Sequence, residues 1–221
     1  WSSDVCSSDL ALTLIEGSTV TLEAQASRPL ASAELRTDGN SPNALKVAGD
    51  HFTAGPFRPI GPQRLALHWR DELGLDAAAP WALNLDVRPD AAPRVDFPEM
   101  SSEVSVLETD VLSLRAVALD DFGIRQVGYA TEIPAADEGR PPVLNREWKA
   151  ESPTPDQRQR QETFHFSPAV LKVPPGAFIT LKALSTDYLP GRAPSESAAY
   201  RIQVIGLQGH AELMRQQLEA I

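Results

Sequence analysis

Alternating apolar and polar residues predict two long β-strands at corresponding places in the chain. The apolar positions are Val20, Leu22, Ala24 and Ala26 and, 92 positions later, Leu112, Leu114, Ala116 and Ala118. Successive side chains of a strand point to opposite faces, so a period of two indicates one buried and one solvated face. The spacing of the two segments indicates an internal repeat.

Further alternating segments follow each of these strands. In the first copy they are Leu30, Ala33 and Leu35, then Leu65, Leu67 and Trp69, then Trp81, Leu83, Leu85 and Val87; in the second copy they are Ile124, Val127 and Tyr129, then Ile179, Leu181 and Ala183, then Tyr200, Ile202 and Val204. Polar turns separate them, and no helical pattern intervenes. This arrangement predicts an all-β chain of two tandem immunoglobulin-like β-sandwiches.

The predicted domains are 11–90 and 93–206, the second with a polar insertion at 131–163. Within the insertion, Trp148 marks one short strand and the remainder is predicted to be loop. Residues 207–221 are predicted to begin a C-terminal α-helix, because apolar residues recur there at heptad spacing. This helix could form a coiled coil or pack against the second domain, and the sequence favours neither arrangement. A protein partner or self-association would use this helix.

Residues 1–10 are interpreted as the translation of a common sequencing-library adapter and are excluded from the fold. They contain Cys6, the single cysteine of the chain, and two of its acidic residues, Asp4 and Asp9. On this interpretation the native N-terminus lies upstream, and any membrane contact is expected through segments missing from the sequence.

Composition excludes several classes of function. The formal net charge of −10 disfavours a nucleic-acid binder, which would need clustered Lys and Arg. No run of about 20 apolar residues predicts a membrane-spanning helix. Without native cysteines there is no disulfide framework and no thiolate nucleophile.

No catalytic motif is complete, so we predict that the chain is not an enzyme. Asp121-Phe122-Gly123 spells a kinase magnesium motif but lacks its glycine-rich and catalytic loops, so a turn is the favoured interpretation. The four histidines, His51, His68, His165 and His210, show no metal-ligand spacing. Carbohydrate binding would need exposed aromatic side chains. Trp69 and Trp81 are predicted to lie in the core, which leaves Trp148 as the exposed tryptophan.

One group of side chains is a candidate calcium site. The turn after the second domain's first long strand and the loop before its last strand are predicted to meet at one end of the sandwich. Asp120, Asp121 and Asp187 would then come together near Ser185 and Glu196, and Ca²⁺ prefers such oxygen ligands. Aspartates also favour turns by accepting backbone hydrogen bonds, and this is the competing interpretation. The first domain has Arg28-Pro29 in place of Asp120-Asp121.

Segments 114–124, 181–191 and 195–204 resemble the Ig-like repeats of large bacterial envelope proteins. Those proteins look like a membrane segment followed by tandem Ig-like domains and a helical or coiled-coil region. The resemblance implies a membrane-anchored, extracytoplasmic protein (periplasmic or at the cell surface) and implies no catalytic residues. The expected function is a non-catalytic spacer or interaction segment. The alternatives are a calcium-dependent adhesion or carbohydrate-binding module, and the accessory domains of an enzyme encoded outside this sequence.

Overall fold

A computed structural model describes residues 10–37, 42–76, 81–134, 141–207, 209–211 and 215. The chain divides into two compact units, Trp1–Asp90 and Ala91–Ile221. Each unit is built from β-strands, so the prediction of an all-β fold is confirmed.

Unit 1 contains eight strands in its described residues. They are β1 (Leu10–Ile15), β2 (Val20–Gln25), β3 (Leu30–Thr37), β4 (Asn43–Ala44), β5 (Lys46–Ala48), β6 (His51–Phe57), β7 (Gln63–Asp71) and β8 (Trp81–Arg88). One sheet has the order β1-β8-β7-β3-β4, and the other has the order β2-β6-β5. The strands predicted at Val20, Leu30, Leu65 and Trp81 are all present. The exclusion of residues 1–10 from the fold is wrong at Leu10, which begins β1 and pairs with Leu83, whereas 1–9 lie outside the described residues.

Unit 2 repeats this plan with one additional strand, which lies beside the larger sheet. Its strands are β9 (Arg94–Asp96), β10 (Glu103–Leu107), β11 (Leu112–Leu119), β12 (Gln126–Ile133), β13 (Val143–Trp148), β14 (Gln159–Phe166), β15 (Phe178–Thr186), β16 (Ser195–Glu196) and β17 (Tyr200–Ile205). The larger sheet has the order β10-β17-β15-β12-β13, with β16 beside β15, and the smaller has the order β14-β11-β9. This division of strands between two sheets is immunoglobulin-like.

Each unit has its own hydrophobic core between its two sheets. In unit 2 the inward positions of β15 and β17 are fully buried, with Ile179, Leu181 and Ile202 at 0% exposure. In unit 1 the corresponding core is formed by Leu65, Leu67, Leu83 and Leu85. Apolar burial of this kind is the main favourable contribution to folding.

The insertion predicted at 131–163 does contain the short strand expected at Trp148, but the prediction that its remainder is loop is wrong. The segment supplies the end of β12, the edge strand β13 and most of β14, which pairs along its whole length with β11. β14 escaped detection because one of its inward side chains is Arg160, which is 8% exposed. Its guanidinium donates to the carbonyl oxygens of Arg125 and Ala150 at 3.1 and 2.8 Å. Residues 135–140 of the segment lie outside the described residues.

The predictions for the tryptophans also require correction. Trp69 and Trp81 are half-buried rather than enclosed in the core, and both pack at its margin. Trp148 is half-buried instead of exposed, because its ring lies over Gly128 on the neighbouring strand. A Cβ atom at Gly128 would lie 2.6 Å from the Trp148 ring, so the glycine makes room for it.

Most of the predicted C-terminal helix lies outside the described residues, including Met214, Leu218 and Ile221. The described positions, Leu207, 209–211 and Arg215, are helical, and Leu207 is 79% exposed. No helix among the described residues is long and apolar enough to cross a membrane.

Candidate functional site

The turn after β11 is held by the side chain of Asp120. Its Oδ2 accepts hydrogen bonds from the backbone N–H groups of Phe122 and Gly123 at 3.0 and 2.6 Å. Such bonds are the reason aspartate favours turns. Asp121 is exposed. Gly123 lies against the next loop, where a Cβ atom would be 1.9 Å from the carbonyl oxygen of Pro155, so this position requires glycine.

Asp187, directly after β15, is buried at 6% exposure and holds the loop that follows. Its Oδ1 accepts the N–H of Leu189 at 3.0 Å, and its Oδ2 is ion-paired with Arg192. The guanidinium of Arg192 also donates to the carbonyl oxygen of Ala91 at 2.8 Å. The arginine thus places a positive charge beside a carboxylate removed from water, which offsets part of the cost of burying it.

The carboxylates of Asp120 and Asp187 lie side by side, with oxygen atoms within 4.8 Å of each other. The Oδ1 atom of Asp120 is buried and has no hydrogen-bond partner among the described residues. Asp121 does not join this pair. Ser185 and Glu196 have other partners, since the Ser185 hydroxyl donates to the Gln126 carbonyl at 3.3 Å and Glu196 accepts from Lys182 at 2.7 Å.

Unit 1 has the equivalent loop with a different charge pattern. Asp71, at the end of β7, is 8% exposed, and its Oδ1 accepts the N–H groups of Leu73 and Leu75 at 3.0 and 2.8 Å. Arg28 lies 3.7 Å from its Oδ2. Since Arg28 and Asp120 occupy the same position of the 92-residue repeat, a cation faces the loop aspartate in unit 1 and a second carboxylate faces it in unit 2.

The histidines do not form a metal-binding cluster among the described residues. His51 contacts Asp50 at 2.7 Å on the surface, and His165 points outward from β14. None of the four histidines belongs to a cluster of three or more potential metal ligands in the part of the chain that the structure describes.

Sequence reasoning missed an apolar groove on unit 1. It has a volume of about 220 Å³ and opens beside β2, where it is lined by Leu22, Ala24, Ala26, Phe52, Trp69 and Trp81 among others. The ring centroids of Phe52 and Trp69, which both line the groove, lie 6.2 Å apart. The alternation in β2 predicts that these side chains point inward, but it contains no signal for whether a neighbouring strand covers them.

No family model and no curated protein matches the sequence. Among solved structures, the chain is similar to the fibronectin(III)-like modules of Clostridium thermocellum CbhA, with 15% identity and a TM-score of 0.32 over 92% of this chain and 94% of that one. It is also similar to a 1.5-MDa bacterial ice-binding adhesin, with 10% identity and a TM-score of 0.45 over 88% of this chain and 61% of that one.

A third similar structure is Dpr2 Ig1-Ig2 in complex with DIP-Theta Ig1-Ig3, with 11% identity and a TM-score of 0.32 over 89% of this chain and 62% of that one. At these identities and TM-scores the likenesses carry no inference about function.

Proposed function

We propose that the chain is a non-catalytic, extracytoplasmic spacer and interaction segment of a bacterial envelope protein. The observation that carries the proposal is the same in both units: the first strand of the larger sheet pairs in parallel with the last. β1 pairs with β8 from Leu10↔Leu83 to Ile15↔Arg88, and β10 pairs with β17 from Glu103↔Arg201 to Leu107↔Ile205.

Parallel terminal strands suit a segment that transmits force. When a chain is pulled from its two ends, a parallel terminal pair is loaded along the strand direction, so its hydrogen bonds share the load. An antiparallel terminal pair would be opened at one end, one bond after another. The ladders of both units therefore resist extension, as a spacer between an anchor and a distal region requires.

Force spectroscopy on the full chain tests this role. Since the Glu16 N–H donates to the Arg88 carbonyl at 2.9 Å, the alternation of the ladder directs the N–H of Leu12 toward β8 and that of Thr13 away from it. Leu12→Pro removes a ladder donor, whereas Thr13→Pro is the matched control at an exposed neighbour. We expect only Leu12→Pro to lower the unfolding force of unit 1 clearly.

Equal forces in the two variants would contradict the role of the parallel ladder. The absence of a distinct unfolding event for either unit in the unmodified chain would refute the spacer proposal as a whole.

The extracytoplasmic location is a further part of the proposal and follows from the resemblance to envelope proteins. A protein partner or self-association at the C-terminal helix is another part and follows from the heptad spacing of residues 207–221. Protease added to spheroplasts of the natural host should digest these units while a cytoplasmic marker stays intact. Protection of the units until the inner membrane is lysed would refute the location.

A calcium-dependent module is the second candidate, favoured by the partnerless Oδ1 of Asp120 beside Asp187. Calorimetric titration of the full chain with CaCl₂ tests it, with Asp120→Ala and Asp187→Ala as variants and Asp121→Ala as the control from the same turn. Micromolar binding that is lost in the first two variants and kept in the third would support the module. No heat at millimolar calcium would exclude it.

A further inference from the structure

The two units bury equivalent side chains to different extents. Three inward positions in and directly after β2 recur in β11 at the 92-residue spacing, with the same residue types at each. In unit 2 they are fully enclosed, whereas in unit 1 all three are half-exposed; the pairs are Leu22 and Leu114, Ala24 and Ala116, Ala26 and Ala118. Residue type therefore does not explain the difference, and the neighbouring structure must.

In unit 2 the covering element is β9, together with the residue that follows it. β9 pairs antiparallel with β11, from Arg94↔Leu119 to Asp96↔Val117. Val95 and Phe97 point into the core and are 8% and 1% exposed. The Phe97 ring meets the Tyr200 ring edge-on at 5.6 Å, and the Tyr200 hydroxyl donates to Asp96. The strand is thus fastened to its unit by backbone pairing, two apolar side chains and one hydrogen bond.

The corresponding edge of unit 1 has no strand on it among the described residues. Of the described strands, β6 alone pairs with β2. Because the Ala26 N–H donates to the Asp50 carbonyl at 2.8 Å, the alternation of the ladder directs the N–H groups of Glu23 and Gln25 toward the other edge. Below this edge lies the apolar groove of about 220 Å³. Trp81 lines the groove and occupies the position that Tyr200 has in unit 2, since the two residues pair with the equivalent Leu67 and Leu181.

We propose that this edge of β2 and the groove beneath it form a strand-acceptor site, which in the natural protein is filled by the polypeptide directly before β1. The repeat places the counterparts of Arg94–Phe97 at positions 2–5. The occupant is then an extended segment with an aliphatic side chain at position 3 and an aromatic one at position 5, the pattern that Val95 and Phe97 form in unit 2. Such a strand gains main-chain hydrogen bonds and buries its alternate side chains.

The residues now at those positions do not have this pattern. Ser3 is polar and Val5 is smaller than an aromatic residue, whereas Asp4 already matches Asp96. The proposal therefore rests on the interpretation of residues 1–10 as adapter-derived, which would account for the mismatch. An uncovered edge with an apolar floor is also a template for unwanted pairing between chains, which a native strand on this edge would prevent.

The test restores the pattern in the full chain. The double variant Ser3→Val, Val5→Phe is designed to present both apolar side chains to the groove, because the repeat matches these positions to Val95 and Phe97. The control Ser2→Val, Asp4→Phe adds the same two side chains at the alternate positions, which match the outward-facing Arg94 and Asp96 of the repeat. Hydrogen exchange is followed at the amides of Glu23 and Gln25, with the β6-bonded amides of Leu22 and Ala24 as internal references.

We expect exchange at Glu23 and Gln25 to slow by about tenfold in the first variant and to stay unchanged in the control. Acrylamide quenching of Trp69 and Trp81 should decrease in parallel. Adding Ala24→Arg, which fills the groove, should abolish both effects. No change in the first variant, or equal changes in the variant and the control, would overturn the proposal.

The source of the strand is tested in the same assay. A peptide of residues 92–100 is added to the unmodified chain. If the site takes its strand from another chain, this peptide should slow exchange at Glu23 and Gln25, whereas the double variant Ser3→Val, Val5→Phe should not. That result would refute the commitment to the preceding segment. None of these outcomes bears on the force measurements, which depend on the β1–β8 ladder.

Discussion

Truncation of the repeat-equivalent leucines Leu114 and Leu22 should have very different costs. Leu114 is 4% exposed in the closed core of unit 2, and Leu22 is half-exposed beside the groove of unit 1. Leu114→Ala loses about 2.5 kcal/mol of transfer free energy. It also leaves an enclosed cavity, which brings the total cost to about 3–5 kcal/mol.

Leu22→Ala should cost about 1 kcal/mol. Only part of the removed surface is buried, so the transfer contribution is roughly halved. The space left behind joins the open groove, so no new enclosed cavity forms. The two free energies of unfolding should therefore fall by amounts that differ by about 2–4 kcal/mol. For a domain of this size, the shifts of the two urea midpoints should then differ by about 2 M.

The assay is a urea titration of the full chain, with pulsed hydrogen exchange and mass spectrometry to score each unit separately. Leu67→Ala and Leu181→Ala form the matched control pair, since these residues are 3% and 0% exposed and should lose similar free energies of unfolding. If Leu22→Ala costs as much as Leu114→Ala while the control pair agrees, the groove is closed in solution and the reasoning from burial is refuted.

Three further predictions concern single side chains. Burial and the hydrogen bond from Tyr129 to Glu147 raise the pKa of Tyr129 from 10.0 to about 12. The neutral phenol therefore stabilises unit 2 below pH 10, and this contribution is lost as the pH rises to about 12. Tyr129→Phe should flatten this decline of stability in urea titrations at alkaline pH. Gly128→Ala should destabilise unit 2 by about 2–3 kcal/mol because its Cβ atom would overlap Trp148, whereas Gly61→Ala, with nothing within 4 Å, should be neutral in the same titrations. Asp71→Ala should cost unit 1 about 2–3 kcal/mol by leaving two loop N–H groups without their acceptor, and thermal melts should show a much smaller loss for Asp76→Ala, whose ion pair with Arg70 is exposed.

The candidate calcium residues were predictable only in part. The prediction that the turn after β11 and the loop before the last strand meet follows from sandwich topology, and Asp120 and Asp187 do lie together. Asp121 follows Asp120 directly yet points to solvent. The sequence contains no signal for the ion pair of Asp187 with Arg192, because loop conformation decides which of several nearby side chains reaches the carboxylate.

Local periodicity decided the strands of this protein. The alternation in β2, β11, β15 and β17 is enough to predict their position and their inward faces, because neighbouring residues of a strand always point to opposite sides. It fails at β14, where the buried Arg160 breaks the apolar pattern. There, hydrogen bonds to backbone carbonyls compensate for a charge that the pattern would place outside.

Tertiary structure alone decided which inward faces are closed. Ala24 and Ala116 are the same residue in the same local pattern, and they differ because β9 covers one edge of β11 whereas no described strand lies on the corresponding edge of β2. The reason is physical: alternation reports the direction of a side chain, whereas its burial depends on partners contributed by other parts of the chain.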